Sequence, residues 1–245
     1  MTQKSLPVFL YFLILAPAAF CQDEFDGTIE YHIKTESNHE LSERGSMKFF
    51  IGGDNLLIRI TVLNQENSNT ELLFRKKDNA AYLISDSSKA AYKLNLADFK
   101  NTTPAGKVPE EYEETYTGAL REAKISADSL KLRLMDTGET SRIAGFDCRK
   151  FRVEGEKNIS ESYVWLAPEI QVSVPTSIGD ETGPLSGLFT DKGFPLRIEN
   201  ISLDHGIKQV MTVEAVRVDR KAVDPGFFEI PEGYQTEDLM QLFGK

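Results

Sequence analysis

From residue 28 onward, apolar and polar side chains alternate in short runs, and a period of two is the period of a β-strand. In Thr28-Ile29-Glu30-Tyr31-His32-Ile33-Lys34 a strand places Ile29, Tyr31 and Ile33 on one face and the polar set on the other. Met47, Phe49 and Ile51 repeat the pattern, as do Leu56, Ile58, Ile60 and Val62. Shorter runs pair Leu72 with Phe74, Tyr82 with Ile84, Tyr92 with Leu94, Phe151 with Val153 and Leu196 with Ile198, and a last run holds Met211, Val213 and Ala215. Turn chemistry separates them: Gly52-Gly53-Asp54-Asn55, Asp86-Ser87-Ser88, Asp136-Thr137-Gly138. The pattern predicts successive antiparallel strands in a sheet with one wet face and one covered face.

Three stretches leave this period. After Pro109, the acids Glu110, Glu111, Glu113 and Glu114 precede Tyr112, Tyr116, Leu120 and Ala123 at helical spacing, which predicts a short amphipathic helix with acids in its first turn. A second helical piece is expected from Pro184 to Thr190, with Leu185, Leu188 and Phe189 as its apolar patch. A third holds Leu239, Met240, Leu242 and Phe243. Helices this short gain little stability alone, so they are expected to lie on the apolar face of the sheet.

Residues 1–21 have a different job. Lys4 gives a positive start, Leu6 to Leu15 an apolar stretch, and Ala19 and Cys21 the small residues that signal peptidase reads. Cleavage after Cys21 is expected, leaving a single β-rich domain over 22–245 in the periplasm or outside the cell. The rival reading lipidates Cys21, but Phe20 stands where a bacterial lipoprotein signal takes Gly, Ala or Ser. Losing the leader removes one lysine and no acid, so the formal net charge moves from −10 to −11. That field disfavours nucleic acid and anionic lipid surfaces as general partners.

Catalytic vocabulary is sparse. His32 falls on the polar side of a strand, and His39 and His205 sit in polar turns, with no metal-ligand spacing among them. No Gly-rich phosphate loop and no Gly-x-Ser-x-Gly elbow occurs. No catalytic residue, metal site or cofactor is therefore assigned. Cys148, alone once the leader is gone, is read as a core residue. Asn101, Asn158 and Asn200 begin N-glycosylation patterns, which also arise by chance.

Four stretches are specific enough to suggest a family: Thr140-Ser141-Arg142-Ile143-Ala144-Gly145-Phe146-Asp147-Cys148-Arg149-Lys150-Phe151, then Tyr163-Val164-Trp165-Leu166-Ala167, Gly193-Phe194-Pro195-Leu196, and Phe227-Phe228-Glu229-Ile230-Pro231-Glu232-Gly233-Tyr234. Their order resembles the exported bacterial proteins grouped as the DUF4412 domain family. The resemblance implies a mainly β (α+β) fold like that of LolA-type periplasmic lipoprotein carriers: a curved antiparallel sheet or incomplete β-barrel covered by short helices. It implies no activity. In these motifs Gly145 is read as a tight turn or bulge between two strands, Trp165 as core, and Pro231 and Gly233 as the end of the last extended segment before the C-terminal helix.

Two functions follow. The first is a binding module, non-enzymatic, that holds a lipid or other hydrophobic ligand in the concave face. Its expected lining is Ile29, Tyr31, Ile33, Phe49, Ile58 and Ile60, with Leu188 and Phe189 or Leu239 and Leu242 as a lid. The alternative is a structural or protein-interaction module of the cell envelope with no small ligand, in which the same residues fill a core.

Overall fold

The computed structural model describes residues 24–38, 40–63, 69–95, 133–154, 161–172, 192–204 and 207–239. They form a twelve-stranded sheet: β1 (Gly27–Ser37), β2 (Glu40–Gly52), β3 (Asn55–Val62), β4 (Asn69–Arg75), β5 (Ala80–Ser85), β6 (Ala90–Asn95), β7 (Arg133–Ile143), β8 (Phe146–Glu154), β9 (Ser162–Ala167), β10 (Phe194–Asp204), β11 (Ile207–Asp219) and β12 (Gln235–Asp238). The spatial order is β12-β6-β5-β4-β3-β2-β1-β11-β10-β9-β8-β7. Two antiparallel meanders, β1–β6 and β7–β11, are thus joined along the β1–β11 seam, and β12 adds in parallel to β6. The sheet is not closed, having β12 and β7 as its edges.

Its curvature can be read from two aromatic rings. β2 and β10 lie three strand steps apart, roughly 14 Å in a flat sheet at strand spacings of about 4.8 Å. Yet the rings of Phe49 and Phe194 meet edge-on with centroids 5.7 Å apart. Tyr31 spans the same bend, donating its hydroxyl hydrogen to the Pro195 carbonyl at 2.7 Å. Its neighbour on β11 is the small Ala215, which leaves room for that reach. Irregularities between Glu30 and Tyr31, Ile33 and Lys34, and Pro195 and Arg197 supply the local bending that bulges bring.

The inner face forms the main core, with Phe25, Ile29, Tyr31, Phe49, Leu56, Phe74, Cys148, Trp165, Phe194 and Leu196 among its members. The outer face is not uniformly wet. Phe50, Leu57, Leu73, Tyr82, Ile84 and Phe228 form a second buried cluster on β2–β6, against which Val223, Ile230 and Tyr234 pack. Phe151, Val164 and Leu166 form a third. Three consecutive apolar residues in Phe49-Phe50-Ile51 and in Leu56-Leu57-Ile58 reflect this burial from both sides.

What covers β2–β6 among the described residues is an extended strap, residues 223–234, and not a helix. The strap contains the 3-10 turn Pro225–Phe228, capped by Asp224, whose side chain accepts from the Gly226 N–H. Phe227 stacks on Phe50 at 5.1 Å. Phe228 fills the notch over Gly52, where a Cβ would stand 2.6 Å from its ring. Glu229 then accepts from Arg75 at 2.9 Å and from Lys77 at 3.0 Å. Cover by short helices is not supported among the described residues, whose helical structure is the 3-10 turns Lys76–Asp78 and Pro225–Phe228 and the single residue Leu239. The helices expected at 110–124 and 184–190, and the third beyond Leu239, lie outside the described residues, as does the leader.

Two further expectations are corrected. Asp136-Thr137-Gly138 does not end a strand. It forms an irregularity within β7, where the register shifts between Asp136 and Thr140 and Gly138 has φ +76°. Pro231 to Gly233 do form a turn, but it leads into β12, where the Gln235 N–H bonds the Lys89 carbonyl at the sheet edge. Gly145 (φ +92°) turns the β7–β8 hairpin with Ala144 (φ +49°), the tight turn rather than the bulge of the two forms that its glycine allows.

Candidate functional site

Along the inner face, burial falls from one end of the strands to the other. On β1 the sequence runs from Ile29 and Tyr31, both buried, to the half-buried Ile33; on β2 from Ile51 and Phe49 to the half-buried Met47. β3 runs from Leu56 and Ile58 to the half-buried Ile60 and exposed Val62, and β4 from Phe74 to the half-buried Leu72. Register places these residues in rows: Ile29 beside Phe49 and Phe49 beside Ile58, then Tyr31 beside Met47 and Met47 beside Ile60.

One end is sealed. The Phe25 N–H donates to the Gln171 carbonyl at 2.7 Å, and Ile170 is fully buried. The Arg220 guanidinium lies over the rings of Phe25 and Phe146 and donates to the Glu169 carbonyl at 2.9 Å. The other end, toward the β1–β2 and β3–β4 hairpin tips, leaves the apolar set of Ile33, Met47, Ile60 and Leu72 half-exposed.

The β7–β11 half contributes different chemistry. Lys150 on β8, Trp165 on β9 and Arg197 on β10 are register neighbours. Trp165 belongs to the inner cluster and Tyr163 packs against it. The Lys150 ammonium lies 5.2 Å from the Trp165 ring centroid and 4.5 Å from that of Tyr163, and the Arg197 guanidinium lies 5.1 Å from Trp165. Because β8 and β10 flank β9, the two cations reach the indole from its two sides. Each has an acid: Lys150 bonds Glu139 at 3.0 Å, and Arg197 is paired with Glu214.

Irregular backbone sits on both sides of this ladder. The β7 bulge is held by the Asp136 side chain accepting from the Gly138 N–H at 2.8 Å and by the Thr137 hydroxyl donating to the Lys150 carbonyl at 3.0 Å. It turns Glu139 toward Lys150. The β10 register shift falls between Pro195 and Arg197 and sets Arg197 opposite Trp165. Bulges recur where a sheet re-aims a side chain, often at a site.

Of the residues expected to line the concave face, Ile29, Tyr31, Phe49 and Ile58 lie together in the inner cluster with Ile60 packed against it, and Ile33 is half-buried beside Val213. Leu188, Phe189 and Leu242 lie outside the described residues, and Leu239 is half-buried after β12. Cys148 is fully buried; its thiol faces the Phe146 carbonyl at 3.6 Å, and burial pushes its pKa up to about 11. His32 stands beside Glu43 at 3.4 Å, partly exposed. Asn200, from one of the glycosylation patterns, lies within β10 and accepts from the Ser162 hydroxyl at 2.8 Å. The Lys150–Trp165–Arg197 ladder went unnoticed in the sequence because strand alternation marks Tyr163 and Trp165 as sharing a face but says nothing of which strands flank them.

The architecture is that of a mainly β module built on one curved, unclosed sheet. Residues 113–234 match the profile of the family described as "Domain of unknown function (DUF4412)", so the chain carries a DUF4412 domain over that stretch. No curated protein matches the sequence. Among solved structures the chain is similar to PNGF-II in its C2 crystal form, with 15% identity and a TM-score of 0.45, covering 89% of this chain and 33% of that one. It is similar to MucB with 12% identity and a TM-score of 0.39, covering 87% and 61%. It is similar to the LolA superfamily protein NE2245 from Nitrosomonas europaea with 14% identity and a TM-score of 0.31, covering 86% and 91%. The chain spans about a third of the length of PNGF-II. None of these likenesses brings a ligand or an activity to this chain.

Proposed function

We propose that this chain is an exported, non-enzymatic binding module that holds a hydrophobic ligand at the half-open end of its inner face. The observation that supports this reading is the fall in burial along β1 to β4, from the sealed rows of Ile29, Phe49 and Ile58 to the half-buried Ile33, Met47, Ile60 and Leu72. Apolar side chains that stay half-exposed inside a bend gain the rest of their burial from an apolar occupant. The deeper residues of the expected lining form the floor of this site.

The test is titration of a fluorescent long-chain fatty acid into the purified chain and into Ile60→Trp, which adds volume where the occupant would lie. Saturable binding by the parent, weakened about tenfold by a substitution worth roughly 1.4 kcal/mol, is expected. Absence of saturable binding overturns the reading. The second reading, an envelope interaction module, draws support from Leu41, Leu63 and Leu203, which stand exposed near the ends of neighbouring hairpins.

A further inference from the structure

We infer that the ladder across β7–β11 is a head-group subsite, and that the occupant of the inner face is an anionic amphiphile whose carboxylate sits against Lys150 and Arg197 beside Trp165. This inference rests on the binding-module reading and names the ligand class for it.

Three features of the ladder point this way. The first is its composition: two cations share one indole, on a chain whose formal net charge is −10. The net-negative chain repels anions at long range, so a local pair of cations is what an anionic group needs to settle here. The second is its position. Trp165 belongs to the same inner cluster as Ile29, Phe49 and Ile58, so the cations border the apolar face. An amphiphile needs both surfaces within one molecule's length. The third is the asymmetry of the Lys150 pair: the Lys150 side chain is 18% exposed and that of Glu139 64%. The cation is therefore the fixed, partly desolvated member and the acid the movable one. A ligand carboxylate arriving from the inner face takes over or shares the place of Glu139 and keeps the lysine paired. An ammonium has three donors and a guanidinium five, more than one carboxylate apiece requires.

A carboxylate fits better than a neutral head, because each cation already meets a carboxylate in this geometry, and a neutral ester would leave Lys150 and Arg197 with their own acids and add no charge-assisted bond. The tail then lies along the half-buried apolar residues of β1–β4.

Trp165 is the chain's single tryptophan, so its fluorescence reports on this site alone. The experiment titrates dibromostearate and its methyl ester, each below its aggregation concentration, into the full chain and follows quenching of Trp165. The acid is expected to bind about tenfold more tightly than the ester, the scale of one charge-assisted bond. In Lys150→Gln the preference is expected to shrink to within about twofold while the ester binds as before. Glu139→Gln removes the competing carboxylate without touching a cation, and it is expected to tighten the acid about threefold and leave the ester unchanged. Equal binding of acid and ester by the parent chain, or an unchanged preference in both variants, overturns the head-group subsite and leaves the hydrophobic carrier standing. Failure of both ligands to quench saturably overturns the carrier reading and the subsite with it.

Discussion

Tyr31 and Cys148 show how single side chains hold the bend. The Tyr31 hydroxyl is buried, and its hydrogen goes to the Pro195 carbonyl on a strand two places away. Tyr31→Phe keeps the ring against Phe49 but leaves that buried carbonyl without its partner. It is expected to cost about 1–2 kcal/mol in denaturant unfolding, with little change in the far-ultraviolet spectrum. Cys148 acts through its protonation state. Burial pushes the thiol up to about 11 from 9.0, so the folded state holds the proton more tightly than the unfolded chain does. The stability this gives is complete below pH 9.0 and is lost as pH rises toward about 11. Burial also raises the pKa of Tyr31 and of Tyr82, so Cys148 is one of several sources of alkaline destabilisation. Cys148→Ala is expected to flatten the fall in stability above pH 9.0 without removing it. With Cys21 replaced by serine, maleimide labelling of the native chain at pH 8 is expected to run far slower than that of a free thiol. Labelling at the rate of free cysteine would show that the thiol is not enclosed.

Among the elements, the strap is the one whose removal has the clearest consequence. Phe228 is buried in the notch that Gly52 leaves open, and Glu229 joins Arg75 and Lys77. Arg75 is itself nearly buried, paired with Asp78 at 2.5 Å and lying over the Tyr82 ring at 4.7 Å. Phe228→Ala is expected to cost about 3–4 kcal/mol and to admit proteolysis near residue 223, read by mass spectrometry of the nicked chain. Most strands could be read from alternation because it survives in any half-buried strand: the runs at Ile29, Phe49, Ile58 and Val213 all fall within β1, β2, β3 and β11. β7 escaped because its edge position leaves it mostly exposed and its bulge carries Asp-Thr-Gly, which reads as a turn. β12 escaped because its four residues are all polar or charged and exposed, so no apolar alternation marks the strand. The site divides the same way. The apolar lining follows from period two, whereas the cation ladder depends on which strands lie side by side, and that order is long-range information.

At the scale of the molecule, the family boundary and the folding unit do not coincide. The DUF4412 match, residues 113–234, takes in β7 to β11 and the strap but none of β1 to β6. β11 needs β1: the two pair from Thr28 with Asp219 through Ser37 with Gln209. The strap needs β2 to β5, since Phe228 packs with Phe50, Leu57 and Leu73. The inner core draws Ile29, Phe49, Ile51, Leu56 and Phe74 from the first meander and Cys148, Trp165 and Phe194 from the second. A fragment cut at the family limits would keep one side of each of these contacts, with an unpaired β11 edge and a strap without a floor. Residues 113–234 alone are therefore expected to give narrow amide dispersion in nuclear magnetic resonance spectra and no sigmoidal unfolding in urea, while residues 22–245 unfold in one transition. A dispersed spectrum and cooperative unfolding from the fragment would mean that the second meander carries its own core, and that the β1–β11 seam joins two folding units instead of running through one.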